Sequence, residues 1–534
     1  MLISQPRPSS IFAIIALLFV VLTGIPAASQ NLQARQALAE AAASDRGIAE
    51  FYKSRNYEPI WTGSSSKDRQ RRQSFLKALK TADDHGLPAE SYKADTILSN
   101  LRGAKTVRER AQIEVQLSKM FLDYARDIQT GVLVPSRVDS GIVRKIPYRD
   151  RTATLTAFSK SSANGFIKSL PPRNPEYTRL MKEKMRLERL LARGGWGPEV
   201  RARELKPGAT GAQVVALRDR LRAMGYIRRS STQTYDDNIR KAVALFQRDH
   251  GLRTDGVAGK GTMSEINKPV EARLQSVIVA MERERWMNMD RGKRHVMVNL
   301  TDFTAKIIDN NKVTFSTRSV IGKNVDDQRS PEFSDTMEFM VINPSWYVPR
   351  SIATKEYLPL LRRNPNAVRH LEIRDTRGRR VNRATADFAN YTENNFPYTM
   401  REPPSQGNAL GLVKFMFPNQ YNIYLHDTPA KNLFNRETRA YSHGCIRLRD
   451  PFDFAYALLA KQTNDPEGFF KAQLRTGKEV QVDLKQPVPV HIMYRTAFTQ
   501  AKGPINFRRD VYGRDARIWR ALEREGVALR AVRG

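Results

Sequence analysis

Cys445 is the only cysteine in the 534-residue chain and lies in the run Tyr441-Ser442-His443-Gly444-Cys445-Ile446-Arg447-Leu448. A lone thiol cannot close an internal disulfide, so it serves either as a small buried side chain or as a nucleophile. The second use needs a base, because a thiol of pKa about 8.5 is only a few per cent thiolate at neutral pH. A neighbouring imidazole takes the thiol proton and later returns it to a leaving amine. Two histidines compete to be that base. His426 lies nineteen positions upstream in Tyr424-Leu425-His426-Asp427-Thr428, and His443 lies two positions upstream. In an extended segment His443 shares a face with Cys445; in a turn it shapes the loop instead. Gly444 admits close approach of a substrate and an unusual backbone angle. Backbone N–H groups near Gly444 and Cys445 are therefore candidates for an oxyanion hole, where each donor is worth ~2.7–4 kcal/mol. A metal site built from Cys445, His443 and His426 lacks a fourth ligand and the paired spacing usual for zinc.

The chain's compartment bears on the thiol. Met1 to Ser10 carries Arg7 and no acid, Ile11 to Leu22 is unbroken apolar sequence, and Thr23 to Ser29 supplies a break and small residues. That order is the pattern of a secretory signal over residues 1–29, cleaved after Ala28 or Ser29. Twelve apolar residues span about 18 Å as helix, short of the ~30 Å hydrocarbon core. An uncleaved signal would instead hold the protein at the inner membrane. In an oxidising compartment a free thiol is a liability, which favours chemistry over packing. The net charge of +34 and pI near 10.3 call for an anionic partner. Export turns that expectation away from nucleic acid and towards an acidic polymer outside the cytoplasm.

Several elements must position these residues, and they fall into segments. Residues 30–195 read as a helical domain, with helical periodicity at Ala37–Tyr52, Gln73–Ala82 and Ile113–Ile128, and an aromatic set of Phe51, Tyr52, Tyr57 and Trp61 as core. Residues 200–268 read as three short helices, the first capped by Thr210 and the second starting after Asp236-Asp237. Gly256 to Thr262 lacks the glycine and hydroxyl placement of a phosphate loop. From residue 271 a helix to Trp286 leads into strand-like runs at 295–300, 305–308, 313–321, 339–342, 413–417 and 421–425. Pro349 to Asn408 is too long for an ordinary connection and reads as an insertion that caps or gates the strands. Residues 501–534 form a tail ending in a closing helix. The fold class is thus multidomain α+β.

Residues 205–267 resemble a three-helix peptidoglycan-binding domain, carried by Leu205-Lys206-Pro207-Gly208, Val214-x-x-Leu217-x-x-x-Leu221, Gly225-Tyr226, Ala244-x-Phe246-Gln247 and Leu252-x-x-Asp255-Gly256-x-x-Gly259. His426, a spacer of sixteen residues and then His443-Gly444-Cys445, preceded by Ser442 and followed by Arg447, resembles the signature of the L,D-transpeptidase (YkuD-type) catalytic domain. Asn343-Pro344-x-Trp346-x-Val348-Pro349, Arg401 and Asn408-Ala409-Leu410-Gly411 extend the likeness to the large periplasmic members, which add a helical scaffold domain and a capping insertion. The chain departs from them at Arg401-Glu402-Pro403-Pro404-Ser405, where relatives more often carry Arg-Gln followed by Pro-Gly.

The resemblance implies a catalytic domain over 271–500, with its insertion at about 350–408. It implies Cys445 as nucleophile and His426 as base, with Ser442, His443 and Gly444 around the oxyanion hole and the Asp427 carbonyl orienting His426. Arg447, Arg401, Tyr424, Asn408 and Trp346 are the expected substrate contacts. The implied reaction acts on peptidoglycan tetrapeptide stems in the Gram-negative periplasm, releases D-Ala and forms 3→3 cross-links, with no cofactor or metal. Water, a D-amino acid or a lipoprotein lysine are alternative acceptors. A non-catalytic wall-binding scaffold is the alternative of another class. Oligomeric state has no signature in the sequence.

Overall fold

A computed structural model describes residues 27–529, so the expected signal lies outside the described residues except for its last three positions, which open the helix Ala27–Ala42. Two compact units result: one from the described residues up to Ala82 with Pro88–Ile128 and Tyr148–Pro171, the other from Asp83–Leu87, Gln129–Pro147 and everything from Pro172 on. The first is helical. Its centre is an aromatic cluster in which Trp61 stacks on Phe158 and Phe121 on Phe158, at 5.2 and 4.2 Å between centroids. Buried Glu114 organises the turn before the Ser66–Lys80 helix by accepting from the N–H groups of Ile60, Trp61 and Thr62 and from the Tyr52 hydroxyl. Tyr57, expected in this core, is only partly buried, because it sits at φ 58° in the turn after the Arg46–Ser54 helix.

The second unit contains the helix Pro175–Leu191, which the sequence groups with the N-terminal helices. Its apolar face, Tyr177, Leu180 and Leu187, shares a core with Leu274, Val277 and Ile278 of the Val270–Trp286 helix. The C-terminal helix Arg514–Arg524 joins the same core through Ile518 and Leu522.

The helices Ala212–Ala223, Asp237–Asp249 and Lys260–Ile266 enclose Val214, Leu217, Leu221, Ile239, Val243 and Phe246. Asp236 caps the second by accepting from the Ile239 N–H. Thr210 does not cap the first: its backbone bridges to Thr234, and Gly211, at φ 103°, takes the cap position. Gln247 ties the motif together, donating to Asp255, the Val257 carbonyl and Thr262 while accepting from the Asp255 and Gly256 N–H groups.

Beyond these helices the described residues build two larger sheets, beside a two-stranded ribbon of Ala497–Phe498 with Asn506–Phe507. The strands of the two larger sheets are β1 (Arg294–Asn299), β2 (Thr304–Asp309), β3 (Lys312–Gly322), β4 (Ser334–Ile342), β5 (Trp346–Tyr347), β6 (Glu372–Arg374), β7 (Thr399–Glu402), β8 (Val413–Met416), β9 (Leu425–His426), β10 (Ala440–Ser442), β11 (Ile446–Leu448) and β12 (Val480–Met493). The large sheet runs β10-β3-β11-β9-β8-β4-β12-β1-β2, and pairing of β2 with β3 closes the order on itself. Alternating side chains such as Val296, Val298, Ile307, Met340, Phe415, Leu425 and Ile446 fill one common core. The insertion has its own small core around Leu358, Leu361, Ile373, Phe388, Phe396 and Met400, over the sheet β5-β7-β6.

The run expected over 421–425 is a strand only at Leu425–His426, and β5, β6, β7, β10, β11 and β12 lie outside the expected runs. Residues 421–424 are a turn, because the Asn419 side chain binds the Tyr421 and Ile423 N–H groups and the Phe417 and Ile423 carbonyls. β12, the longest strand, escapes sequence reading because Pro487 and Pro489 interrupt it; its register shifts between Asp483 and Val488.

Candidate active site

β9 and β11 are parallel neighbours, with Leu425 opposite Ile446 and His426 opposite Arg447. Leu425 and Ile446 are fully buried in the sheet's core. Alternation therefore turns His426, Arg447 and Cys445, which stands two residues before Arg447, to the other face. There they line one cavity of about 630 Å³ with Ser442, His443, Tyr424 and Trp346. Its opposite wall comes from the start of the insertion, including Ile352, Lys355, Glu356 and Tyr357.

The loop between β10 and β11 is held by local bonds. Gly444 has φ 112°, a backbone angle that strains any side chain, and a Cβ there would also press on the end of Ile423 at 3.1 Å. Its N–H donates to the Ser442 hydroxyl at 3.2 Å, and that hydroxyl donates to the Cys445 carbonyl. The Gly444 N–H is thus already engaged and does not serve as an oxyanion donor in this arrangement. The Cys445 N–H has no acceptor among the described residues.

Cys445 is half-buried, and its Sγ donates to the Asn422 carbonyl at 3.4 Å. The Tyr424 hydroxyl stands beside the thiol and also meets the Trp346 side chain; its ring lies edge-on to His426 at 5.6 Å. Burial pushes the thiol pKa up to about 11, opposed by hydrogen bonds from Tyr424 and by the Arg447 charge. Burial, then the charge of Arg447, pushes His426 down to about 3. The resting pair is therefore neutral thiol and neutral imidazole. The Asp427 and Leu410 carbonyls face the ring and favour its protonated form. Neither makes a hydrogen bond of good geometry, and buried Nδ1 is without a partner among the described residues. The Asp427 carbonyl thus stands at the ring where the resemblance puts it, at a looser geometry than a full hydrogen bond.

Asp427 works through its side chain instead. It accepts from the Leu412 and Thr428 N–H groups and from Lys431, locking the end of β9. A Cβ on Gly411 would lie 2.3 Å from that carboxylate, which accounts for the glycine after Leu410. His443 turns away from the base role: its Nε2 lies 2.5 Å from Glu356 of the insertion, next to an ion pair between Lys355 and Asp327 at 3.0 Å.

Arg447 and Arg401, alike in the sequence, differ here. Arg447 lines the cavity and has no hydrogen bond or ion pair among the described residues; its Nε is buried and unpaired. Arg401 is outside the cavity lining and is taken up by Glu372 at 3.3 Å and Ser345 at 2.8 Å. Asn408 also corrects its expected role as a substrate contact. It is fully buried, its amide donates to the Glu402 and Pro403 carbonyls, and its carbonyl accepts from the Leu410 N–H. Glu402 accepts from the Ala409 N–H in the same loop. Lys414 was missed. It lines the cavity opposite His426 across β8 and β9, and burial lowers its pKa against the more distant Glu479. Its signal was a lysine between Val413 and Phe415 in an apolar strand.

Residues 293–490, which hold this cavity, match the family described as L,D-transpeptidase catalytic domain. Residues 210–266 match a family described as "Putative peptidoglycan binding domain", and residues 46–183 match a scaffold domain family. Among curated proteins, a Haemophilus influenzae protein named "Putative L,D-transpeptidase" is 29% identical over 242 residues. The matched region spans 45% of this chain and 48% of that relative, about half of each. Two solved structures are similar in part. An L,D-transpeptidase from Xylanimonas cellulosilytica is 13% identical, over 56% of this chain and 98% of that one, with a TM-score of 0.17. An L,D-transpeptidase from Stackebrandtia nassauensis is 15% identical, over 56% and 97%, with a TM-score of 0.23. At these scores the solved structures add nothing to the assignment, which rests on the sequence families. No helix among the described residues is long and apolar enough to cross a membrane.

Proposed function

We propose that the protein is an exported, periplasmic peptidoglycan L,D-transpeptidase that forms 3→3 cross-links. The observation that carries the reading is the gathering of Cys445, His426 and the unpaired Arg447 in one cavity within the matched domain. The Cys445 sulfur attacks the carbonyl carbon of the third, L-centred stem residue while His426 takes the thiol proton. Collapse of the tetrahedral species breaks the C–N bond, and His426 returns the proton to the departing D-Ala amine. The thioester is then attacked by the side-chain amine of a second stem, whose proton passes through His426 as the thiol is released.

The neutral resting pair supports general-base attack over a preformed thiolate–imidazolium pair, since burial disfavours both charges. Arg447 and Lys414 offer guanidinium and ammonium groups to stem carboxylates, an anionic pairing that also suits the chain's net charge of +34. The three-helix domain would raise the local concentration of wall polymer by tethering.

Mass spectrometry of muropeptides after incubation with the protein tests this reading. Dimers joined 3→3 support it. Tripeptides alone would mean that water is the acceptor, and exchanged terminal residues or lysine adducts would mean the other acceptors. Intact-mass measurement with a tetrapeptide should show an acyl adduct on the native chain and none on Cys445→Ala; an adduct on the alanine chain would overturn the nucleophile. Absence of any product or adduct with the native chain would leave a wall-binding scaffold.

A further inference from the structure

The Cys445 N–H has no acceptor among the described residues, and its direction is set by a residue far away in sequence. Ser330, in the segment between β3 and β4, is fully buried, and its Oγ donates to the Gly444 carbonyl at 2.6 Å. That carbonyl and the Cys445 N–H belong to one planar trans peptide, so they point in opposite directions. Fixing the carbonyl towards Ser330 therefore fixes the N–H away from it. Gly444, in a region of backbone space open to glycine, would otherwise leave this peptide free to rotate.

Ser330 is itself held from three sides. Its Oγ accepts from the Gly322 N–H at 3.0 Å, and its own N–H donates to the Tyr512 hydroxyl at 3.3 Å. The Tyr512 hydroxyl donates in turn to the Gly322 carbonyl at 2.6 Å. The Ser330 carbonyl accepts from Arg514 at 3.1 Å, and Arg514 also lies 3.4 Å from Glu332. The packing is tight enough that a Cβ on Gly322 would meet the Gln328 carbonyl oxygen at 1.9 Å. A rigid buried frame, reaching to the start of the C-terminal helix, thus ends on the peptide that precedes the thiol.

We propose that Ser330 is a positioning residue for acyl transfer: it orients the Gly444–Cys445 peptide so that the Cys445 N–H stabilises the oxyanion formed during attack. The inference rests on the proposed function, because an oxyanion forms only if Cys445 attacks a carbonyl. Alkylation of the same thiol by iodoacetamide forms no oxyanion and supplies the control. In the full chain, Ser330→Ala should acylate with a carbapenem roughly 10- to 100-fold more slowly, somewhat less than the ~10²–10³ lost with a whole donor. Its alkylation rate should stay within about twofold, since exposure and thiol acidity are unchanged. Ser330→Thr, which keeps the hydroxyl, should restore acylation to within about threefold. Unchanged acylation in Ser330→Ala, or equal losses in acylation and alkylation, would overturn the proposal. Ser330→Gly repeats the comparison if the alanine chain does not fold. A native chain that alkylates at Cys445 but takes no acyl group there would overturn the proposed function, and this inference with it.

Discussion

Arg283, on the Val270–Trp286 helix, has Glu332 at 2.6 Å and Asp515 at 2.8 Å, while Arg447, on β11, has no carboxylate partner among the described residues. Arg283 is buried, whereas Arg447 is half-buried in the cavity wall. The acids raise the Arg283 pKa above its ordinary value against burial, whereas burial lowers that of Arg447, opposed by the neighbouring Cys445 thiol. Arg285 follows Arg283, paired with Glu282 at 2.6 Å. A cation closed off by its own acids holds elements together. One left without an acid beside an open cavity is ready for an anion from outside, at some cost to the fold.

Substitution should separate the two sites cleanly. Arg283→Met leaves Asp515 buried without its cation and Glu332 with only Arg514 at 3.4 Å, and is expected to destabilise by ~3–5 kcal/mol. A denaturant midpoint close to the native value would mean that the cluster is not a structural clasp. Arg447→Met strands no acid, so its folding free energy should change by less than about 1 kcal/mol. Its second-order acylation rate with a tetrapeptide should fall roughly 10- to 100-fold, the worth of a hydrogen bond to a charged group at ~1.5–3 kcal/mol. A large loss of stability with normal acylation would place Arg447 with Arg283.

That contrast explains what the sequence conveyed and what it hid. Cys445, Gly444 and His426 were legible because their chemistry is carried by residue type and short spacing. The strand end at His426 is legible too, whereas the pairing of Leu425 with Ile446, which turns the reactive side chains to one face, joins segments distant in sequence and is not. Arg401 and Arg447 were not separable, because the Glu372 that occupies Arg401 lies 29 positions away and meets it only through pairing of β6 with β7. Ser330, Glu356 and Lys414 stayed hidden for the same reason: each reaches the site across the fold. Asn408 looked like a ligand because a buried, fully bonded amide and a substrate-binding amide have the same letter.

Arg447 should also govern the pH response of the site. Burial and the Arg447 charge keep His426 neutral down to about pH 3, and the thiol stays protonated up to about 11. Acylation by a carbapenem should therefore vary little from about pH 5 to about pH 9, since neither group of the free enzyme titrates there. Removing the charge in Arg447→Met raises the His426 pKa towards its ordinary value. Protonated His426 cannot act as base, so activity should be lost as pH falls through that raised pKa. The acid limb of the rate profile then moves upward. An acid limb already near pH 6.5 in the native protein would mean an unshifted histidine and a cavity wetter than its packing implies.

The smallest effect is expected at His443 and Glu356, where the insertion touches the catalytic loop. The Glu356 side chain is 40% exposed and that of His443 27%, so solvent screens the contact. Exposed pairs contribute ~0.2–1 kcal/mol, and Glu356→Gln should shift acylation by no more than about fivefold. The shift should fall on the apparent affinity, because the pair bounds the cavity wall and Glu356 does not contact the thiol. His426→Ala, by contrast, removes the proposed base and should cost ~10²–10⁴ in rate at saturating substrate. Equal losses for His443→Ala and His426→Ala would reverse the assignment of the two histidines. A loss confined to His426→Ala, with a modest affinity change in Glu356→Gln, places His443 in the wall of the site and His426 at its chemistry.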